Sequence, residues 1–323
     1  MVHSEATTRR FQVLALDGGG SRGLFTAALL AAIEEDLNVS VSDHFDLIAG
    51  TSTGGIVALA LGLGLRPRQI VEFYVKHSPL VFRNWLGLRS AQQWLFRKYS
   101  HRRLEAALKE TFQDRLFGDS SKRLVIPCYE LGADDVYIFR TAHAERLKRD
   151  FKVPAWKVAL ATSAAPTYFP AHRGVDQLRL VDGGIWANNP AMVALIESFG
   201  TLKVPLDQTH LLSIGTYEGV STRPPYLNNG GRLPWALKIT DVLLRAGSIG
   251  VNNQVSFLLG DRFLRLDPKV PAGEVVMDRA DNADALVGRA LHFSRKLMPE
   301  ISARFMSHAA PAFSPLHAPK RSE

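Results

Sequence analysis

Short apolar runs alternate with longer segments of helical periodicity along most of the chain. The runs typical of strands are Phe11 to Leu16, Phe45 to Ala49, Leu124 to Glu130, Val136 to Arg140, Leu178 to Val181, His210 to Gly215 and Phe263 to Asp267. Helices are predicted over Leu24 to Leu37, Thr53 to Leu63, Pro190 to Phe199, Pro234 to Leu259 and Asp281 to Phe305. This alternation is typical of a mainly parallel sheet with helices on both faces. We therefore expect a three-layer α/β/α fold with a helical C-terminal extension.

The same pattern divides the chain into four regions. Residues 1–10 are polar and are expected to form a flexible N-terminus, whereas residues 11–215 carry the alternation and form the core. Residues 216–308 are expected to form a C-terminal extension packed on that core. Residues 309–323 contain three prolines and little periodicity, so we expect a disordered tail.

Residues 79–99 interrupt the alternation, because aromatic and aliphatic side chains are interleaved there with arginine and lysine. Such a segment suits a membrane interface, where rings lie at headgroup depth and cations meet phosphates. It equally suits a helical insert that packs into the core. The sequence leaves both interpretations open: a cap or interfacial insert, and a core insert.

The composition is that of a soluble globular protein, with 46% hydrophobic and 22% charged residues. The longest uninterrupted apolar stretch, Ile56 to Leu65, has ten residues, whereas a helix needs about 20 to span a bilayer. The polar N-terminus lacks the apolar segment of a secretion signal. The single cysteine, Cys128, lies in an apolar run, which excludes an internal disulfide and suits a reducing compartment. We expect a cytoplasmic protein.

The net charge is +8 at neutral pH, which favours anionic partners such as a phospholipid surface. Simple solubility would also account for this charge. Lysine and arginine are dispersed, without the basic tract of a nucleic-acid-binding arm. The charge alone does not decide between these interpretations, but no DNA or RNA partner is expected.

A nucleophile turn is predicted at Gly50-Thr51-Ser52-Thr53-Gly54, between an apolar strand and an apolar helix. In a nucleophile elbow the serine hydroxyl is exposed on a tight turn. Small residues are needed two positions before and after it because the backbones crowd there, and Gly50 and Gly54 meet that need. The N-terminus of the following helix would favour negative charge that develops nearby. Ser52 is thus the candidate nucleophile.

A glycine-rich loop at residues 17–23 follows the first predicted strand. Residues without Cβ allow successive backbone N–H groups to converge on an anion. The loop can therefore form an oxyanion hole from Gly18, Gly19 and Gly20, with Arg22 adding positive charge.

The loop also fits the Gly-x-Gly-x-x-Gly fingerprint of dinucleotide-binding folds, with glycines at 18, 20 and 23. In those folds the second strand ends in an acidic residue that binds the ribose, about 20 residues past the glycines. Here that strand ends in Ala49 and Gly50 and leads directly into the serine turn. The fingerprint therefore lacks its partner.

Asp182 begins an Asp-Gly-Gly segment after another apolar run. An aspartate before glycine often bonds its own backbone in a turn. A buried strand-end carboxylate is nevertheless costly unless it is paired or functional, and Ser52 needs a base. Asp182 is thus the candidate base.

The serine–acid–histidine order of α/β-hydrolases is formally available through His210. However, His210 precedes its strand, whereas catalytic groups gather after the carboxyl ends of strands. No histidine or acidic cluster has metal-ligand spacing, so no metal is expected.

In this order, the loop at 17–23, the Gly-x-Ser-x-Gly turn at 50–54 and Asp-Gly-Gly at 182–184 resemble the motifs of the patatin-like phospholipase family. The similarity extends from about residue 11 to residue 200. It includes Ala161 to Pro170, which resembles the stretch that precedes the family's aspartate. The resemblance implies a patatin-like fold and a serine carboxylic ester hydrolase of the phospholipase A type.

The resemblance also implies a Ser52-Asp182 dyad without a catalytic histidine, metal or cofactor. In that mechanism Ser52 attacks an acyl ester of a membrane phospholipid, Asp182 accepts its proton, and the glycine loop with Arg22 holds the oxyanion. Water then releases the acyl group from the serine, with Asp182 again as the base.

Patatin-like enzymes of this kind resemble effectors of bacterial antiphage systems, in which a cyclic dinucleotide made on infection activates the lipase. That resemblance implies a cyclic dinucleotide as activator, and peripheral association with the inner face of the membrane when the enzyme is active. Residues 66–103 and those after 230 could supply cations and aromatic faces for such a ligand, or helices for a homodimer. Two alternatives stay open: a constitutive lipid acyl hydrolase, and a nucleotide-binding oxidoreductase that uses the glycine loop.

Overall fold

A seven-stranded sheet lies at the centre of the protein. The computed structural model describes residues 10–81, 101–216, 225–232, 235, 238–268 and 283–318. The strands are β1 (Phe11–Leu16), β2 (Leu47–Gly50), β3 (Arg123–Glu130), β4 (Asp135–Arg140), β5 (Leu180–Asp182), β6 (Thr209–Ile214) and β7 (Phe263–Leu266). The α-helices of the described residues are α1 (Gly23–Leu37), α2 (Thr53–Gly62), α3 (Pro67–Val81), α4 (His101–Phe112), α5 (Ala155–Thr162), α6 (Gly184–Ala187), α7 (Ala191–Ile196), α8 (Ile239–Leu259) and α9 (Ala283–Phe305).

The sheet is mainly parallel, which confirms the prediction from the alternation. Its order is β4-β3-β2-β1-β6-β7, and β5 pairs with β3. The pairs from β3 through to β7 are parallel, whereas β4 and β5 are antiparallel to β3. β4 follows β3 after residues 131–134, a connection too short for a parallel crossover.

Alternate residues of the strands enter two separate cores. On β1, Leu14 and Leu16 belong to the larger core, together with buried residues of helices α1 to α5 and α9. Val13 and Ala15 belong to the smaller core, together with residues of α7 and α8. Because successive side chains of a strand point to opposite faces, the sheet lies between two helical layers. The predicted three-layer α/β/α fold is therefore confirmed.

Helix α2 lies inside the larger core, and all ten of its residues are buried. It was predictable because a turn motif marks its start. Helices α3, α4 and α5 were not predicted. α3 and α4 pack on each other, on α1 and on α5, so only one side of each is apolar and the signal is weaker.

The C-terminal third continues the same sheet. β7 pairs with β6 in parallel, and α8 and α9 contribute to the two cores. Helix α9 packs along α1, and the rings of Phe45 and Phe305 lie stacked with their centroids 6.3 Å apart. Residues 216–308 are thus joined to residues 11–215 by strand pairing as well as by packing.

Residues 309–318, assigned above to a disordered tail, lie along the core instead. The N–H of Ala310 donates to the O of Asp43 at 2.8 Å, and the N–H of Leu316 donates to the O of Ala142 at 2.7 Å. Prolines prevent regular secondary structure, but they do not prevent an extended segment from binding to a surface. The prolines were therefore a misleading signal for disorder.

Some sequence predictions fall on residues outside the described ones. These are residues 1–9, residues 82–99 of the proposed cap or insert, the start of the predicted helix at Asp281, and residues 319–323. Residues 79–81 of the insert end helix α3. Among the helices that are described, none has the length and hydropathy needed to cross a bilayer.

We expect Phe305→Ala to lower the free energy of unfolding by about 3–5 kcal/mol, because it empties a ring-sized space in the core between α9 and β2. Phe305 is 1% exposed. Leu291→Ala on the same helix is the matched control, since Leu291 is 40% exposed, and should cost less than about 1 kcal/mol. Urea denaturation followed by circular dichroism measures both. Equal effects would contradict the placement of α9 in the core.

Candidate active site

The edge of β3 brings Ser52 and Asp182 together. The first three residues of β3 pair with β2, and the last three pair with β5 in the opposite direction. β2 and β5 therefore run toward each other along one edge of β3, with a gap opposite Ile126 and Pro127. Ser52 follows the end of β2 and Asp182 is the last residue of β5, so their side chains meet at the gap.

Ser52 occupies a strained turn. Its backbone has φ 56° and ψ −122°, a conformation that costs a non-glycine residue about 1–3 kcal/mol. A Cβ on Gly50 would lie 2.2 Å from the O of Gly54, and a Cβ on Gly54 would lie 2.3 Å from the O of Leu16. This close backbone packing agrees with the small residues that a nucleophile elbow requires.

The hydroxyl of Ser52 lies near enough to the carboxylate of Asp182 to lower the pKa of that carboxyl. The N–H of Gly184 donates a hydrogen bond to Asp182 Oδ1 at 2.7 Å. Asp182 is 4% exposed, and burial raises its pKa to about 6 although Ser52 and Gly184 act in the opposite direction. Such a carboxyl is largely ionised at neutral pH and is a stronger base than an exposed aspartate. Asp182 can therefore accept the proton of the Ser52 hydroxyl without help from an imidazole.

Hydrogen bonds join the three motifs to one another. They run from Gly18 N–H to Asn188 O (3.0 Å), from Gly19 N–H to Thr53 Oγ1 (3.1 Å) and from Thr51 Oγ1 to Ala187 O (2.6 Å). The glycine loop, the serine turn and the segment after Asp182 thus form a closed triangle. Each motif holds the other two in place.

Thr162 supports the serine turn, and the sequence analysis did not identify it as a site residue. The N–H of Ser52 donates to Thr162 Oγ1 at 3.0 Å, and that hydroxyl donates to the O of Pro127 at 2.8 Å. Thr162 ends α5, within the stretch that resembles the family pattern before the aspartate. Its role depends on a contact distant in sequence, so spacing alone could not reveal it.

The glycine loop differs in one respect from the predicted oxyanion hole. The N–H groups of Gly18 and Gly19 are engaged by the bonds of the triangle. Of the three glycines, Gly20 alone has no such bond from its N–H within the described part of the chain, and it lines the cavity beside Ser52. Arg22 is 5% exposed, and its Nε donates to the O of Gly19 at 3.2 Å. In this structure the Arg22 side chain therefore supports the loop.

A buried ion pair anchors the loop to the C-terminal third. Asp17, just before the glycines, accepts from both Nη atoms of Arg265 on β7, at 2.8 and 2.6 Å. Arg265 also donates to Ser213 Oγ at 2.7 Å and to Asp267 Oδ2 at 3.0 Å. Burial would lower the pKa of Arg265, but the two carboxylates outweigh it and hold that pKa above its usual value. Sequence reasoning missed Arg265 because no motif surrounds it.

A cavity of about 300 Å³ lies beside Ser52 and Asp182; we call it the acyl cavity. Its apolar wall includes Ile56, Phe73, Tyr74, Val81, Leu104, Tyr168, Phe169, Ile185, Leu243 and Leu244. The polar groups of the dyad and the glycine loop lie together against this apolar wall. A cavity of this kind suits an aliphatic chain that ends in a polar reacting group.

The family model of patatin-like phospholipases matches residues 14–195, more than half of the chain. The chain belongs to the patatin-like phospholipase family. Membership makes it a lipid acyl hydrolase, and it agrees with the α/β fold described above.

Curated relatives cover between 68% and 96% of this patatin-like phospholipase. A protein of Pseudomonas aeruginosa is 30% identical over 325 residues, which cover 96% of each chain. A protein of Vibrio cholerae is 31% identical over 85% of this chain and 87% of the relative. A third, from Escherichia coli, is 35% identical over 68% of this chain and 66% of the relative. All three are named cGAMP-activated phospholipases.

The structure separates His210 from the dyad of this patatin-like phospholipase. His210 lies on β6 opposite Gln12, near the start of β1, whereas the serine turn lies at the other end, where Leu16 pairs with Gly50. Burial lowers the pKa of His210 to about 4. A serine–acid–histidine arrangement through His210 is therefore not assembled. His77, which the sequence did not single out, does line the acyl cavity.

The packing of the loop also opposes the dinucleotide interpretation. A Cβ on Gly18 would lie 2.6 Å from Asn188 Oδ1 and 3.1 Å from Ser52 Cβ, so the loop packs directly on the serine turn. A pyrophosphate would need that space.

In the described ranges, no three His, Cys, Asp or Glu side chains come together in a way that could hold a metal ion.

We expect Gly54→Ala to destabilise the protein by about 1–3 kcal/mol, because the added Cβ would lie within 2.3 Å of backbone oxygen. Displacement of the elbow should lower ester hydrolysis about 100-fold or more. Thermal unfolding and hydrolysis of a soluble short-chain ester measure the two effects.

Gly288→Ala is the matched control, because Gly288 lies in helix α9 with no atom within 4 Å of an added Cβ. There alanine should raise stability by about 0.5–1 kcal/mol and leave the rate unchanged. If both variants behaved alike, backbone crowding at the elbow would not explain why glycine is required at position 54.

Proposed function

We propose that this protein cleaves fatty acyl esters of membrane phospholipids as a serine hydrolase, with Ser52 as nucleophile and Asp182 as base. The observation that carries the proposal is the placement of the half-buried Ser52 beside the buried Asp182, whose pKa the Ser52 hydroxyl lowers, at an apolar cavity that both residues line. Membership of the patatin-like family supports the lipid substrate.

The first half of the reaction forms an acyl-serine. Ser52 Oγ attacks the ester carbonyl carbon while its proton passes to Asp182. The N–H of Gly20 holds the oxyanion, joined by the N–H of Gly19 once it leaves Thr53 Oγ1, and the positive end of α2 adds to this stabilisation. The tetrahedral intermediate then expels the lysophospholipid alkoxide, which takes the proton from Asp182.

The second half releases the fatty acid. Water attacks the acyl carbonyl and gives its proton to Asp182, and the departing Ser52 Oγ recovers that proton. Asp182 is therefore protonated once and deprotonated once in each half of the cycle. A pKa near 6 suits this double role better than the value of an exposed aspartate.

We expect Ser52→Ala and Asp182→Asn each to lower kcat on a soluble short-chain ester by about 10⁴-fold or more, because the two residues act as a unit. In the unmodified protein kcat/KM should fall as the pH drops through about 6, since protonation of Asp182 removes the base. Stopped assays from pH 4 to 9 measure both effects.

Ser121→Ala is the control for loss of a hydroxyl, because Ser121 bonds Gly62 at the far end of α2. It should keep the full rate and the same profile. An active Asp182→Asn variant would exclude Asp182 as the base. An acid limb at the pKa of an exposed aspartate, near 4, would exclude the raised pKa of Asp182.

We also propose that a cyclic dinucleotide activates this enzyme, as part of an antiphage defence. The proposal is supported by relatives named for activation by cGAMP, one of which aligns over 96% of both chains. The enzyme would then act on the inner membrane face only when the nucleotide is present. Homodimer formation stays a prediction.

Purified protein should release little fatty acid from vesicles of phosphatidylethanolamine and phosphatidylglycerol, and about 5- to 150-fold more with cyclic GMP–AMP. Ser52→Ala with the nucleotide, and the linear dinucleotide with the unmodified protein, are the controls and should stay at the basal rate. Full activity without nucleotide, with no binding across a panel of cyclic dinucleotides, would favour a constitutive lipid acyl hydrolase.

A further inference from the structure

A second cavity of about 450 Å³ adjoins the acyl cavity. Leu104, Ser163 and Phe169 line both cavities and form the wall between them. The remaining wall of the second cavity comes from α4, α5 and residues 170–174. No step of the proposed hydrolysis uses this space.

Three residues that line this cavity each have a buried polar atom with no hydrogen-bond partner in the described part of the chain: Ser163 Oγ, His101 Nδ1 and His172 Nε2. Ser163 as a whole is 6% exposed. Buried polar groups are almost always paired, so these atoms are open to hydrogen bonds from a bound molecule. Burial lowers the pKa of His172 to about 4, so its ring is neutral at pH 7 and can offer one N–H.

The charges at the cavity are mainly positive. Lys157 and Arg173 line it, and the Nζ of Lys157 donates to the O of Gly174 at 2.8 Å. The one carboxylate that lines it, Glu105, lies 2.7 Å from the Nζ of Lys109 and 3.7 Å from Nε2 of His101, which also lines the cavity. Lys109 compensates the negative charge of Glu105, so Lys157 and Arg173 give the cavity a positive charge.

We propose that the second cavity binds a phosphodiester through Lys157, Arg173 and the unpaired groups of Ser163, His101 and His172. A phosphodiester carries a single negative charge and several acceptor oxygens, which matches two cations and a set of unpaired donors. The ring of Trp156 already has Lys109 and Lys157 at 4.4 and 5.5 Å, so the cavity recognises the phosphate more than a stacked base. The inference rests on the proposed function, which supplies two sources of a phosphodiester.

These sources are the headgroup of the phospholipid substrate and the cyclic dinucleotide activator. Because Ser163 and Phe169 separate the two cavities, a ligand in the second cavity would contact the wall of the acyl cavity. A headgroup there would orient the substrate ester. A nucleotide there would instead set the shape of the acyl cavity.

The double variant Lys157→Gln/Arg173→Gln distinguishes these sources. Its kcat/KM on p-nitrophenyl butyrate, which has no phosphate, should stay within about twofold of the unmodified protein. If the source is the headgroup, KM for monomeric dihexanoylphosphatidylglycerol should rise about tenfold while nucleotide affinity is unchanged. If the source is the nucleotide, the Kd of cyclic GMP–AMP measured by calorimetry should rise about tenfold while that KM is unchanged at saturating nucleotide.

Two control variants and a direct measurement of phosphate binding complete the test. Lys157→Arg/Arg173→Lys keeps both charges and should restore either constant to within about threefold, whereas Lys148→Gln removes an exposed lysine elsewhere and should change neither. Inorganic phosphate binding, measured by phosphorus NMR, tests the cavity even in a protein without hydrolytic activity. If the Lys157→Gln/Arg173→Gln protein matches Lys148→Gln in phosphate affinity, phospholipid KM and nucleotide Kd, the proposal is overturned.

Discussion

The pairing of two opposed strands with one edge of β3 is the constraint on which the candidate site depends. β2 and β5 approach each other along that edge and stop short, and the dyad lies where both end. Pro127 lies in the gap, and its carbonyl accepts from Thr162 Oγ1. Since proline has no N–H, the interruption leaves no backbone donor of that residue unpaired. The proposed nucleophile and base are thus positioned by strand register, with the loops adding local adjustment.

The second constraint comes from β7, the strand at the opposite edge of the sheet from β4. The bidentate contact between Asp17 and Arg265 joins the first strand to the last one, directly behind the glycine loop. With either partner removed, the other charge would stay buried at a cost of about 3–5 kcal/mol. The loop geometry therefore depends on a residue 248 positions away, and the proposed oxyanion donors depend on that geometry in turn.

The sequence predicted those features that are local. Ser52 and the glycines around it form a turn whose chemistry is contained in five consecutive residues, and the strands before each motif are short and apolar. Thr162, Arg265 and the second cavity were not predictable, because each depends on contacts between segments far apart in the chain. The glycine loop lies between these cases: its proximity to Ser52 followed from the motifs, but the partners of Gly18 and Gly19 did not. The tail was misjudged for a similar reason, since its order comes from the surface that it contacts.

The stretch that the family model matches ends at residue 195, before β6. β6 pairs with every residue of β1, and β1 is central in the sheet. Without the residues after 195, β1 would become an open edge, with unpaired N–H and C=O groups on alternate residues and with side chains suited only to burial. Exposed apolar edges of this kind pair with other chains and aggregate. The chain after residue 195 is therefore part of the smallest unit that can fold as a monomer, and the end of the family-model match is not a boundary of the fold.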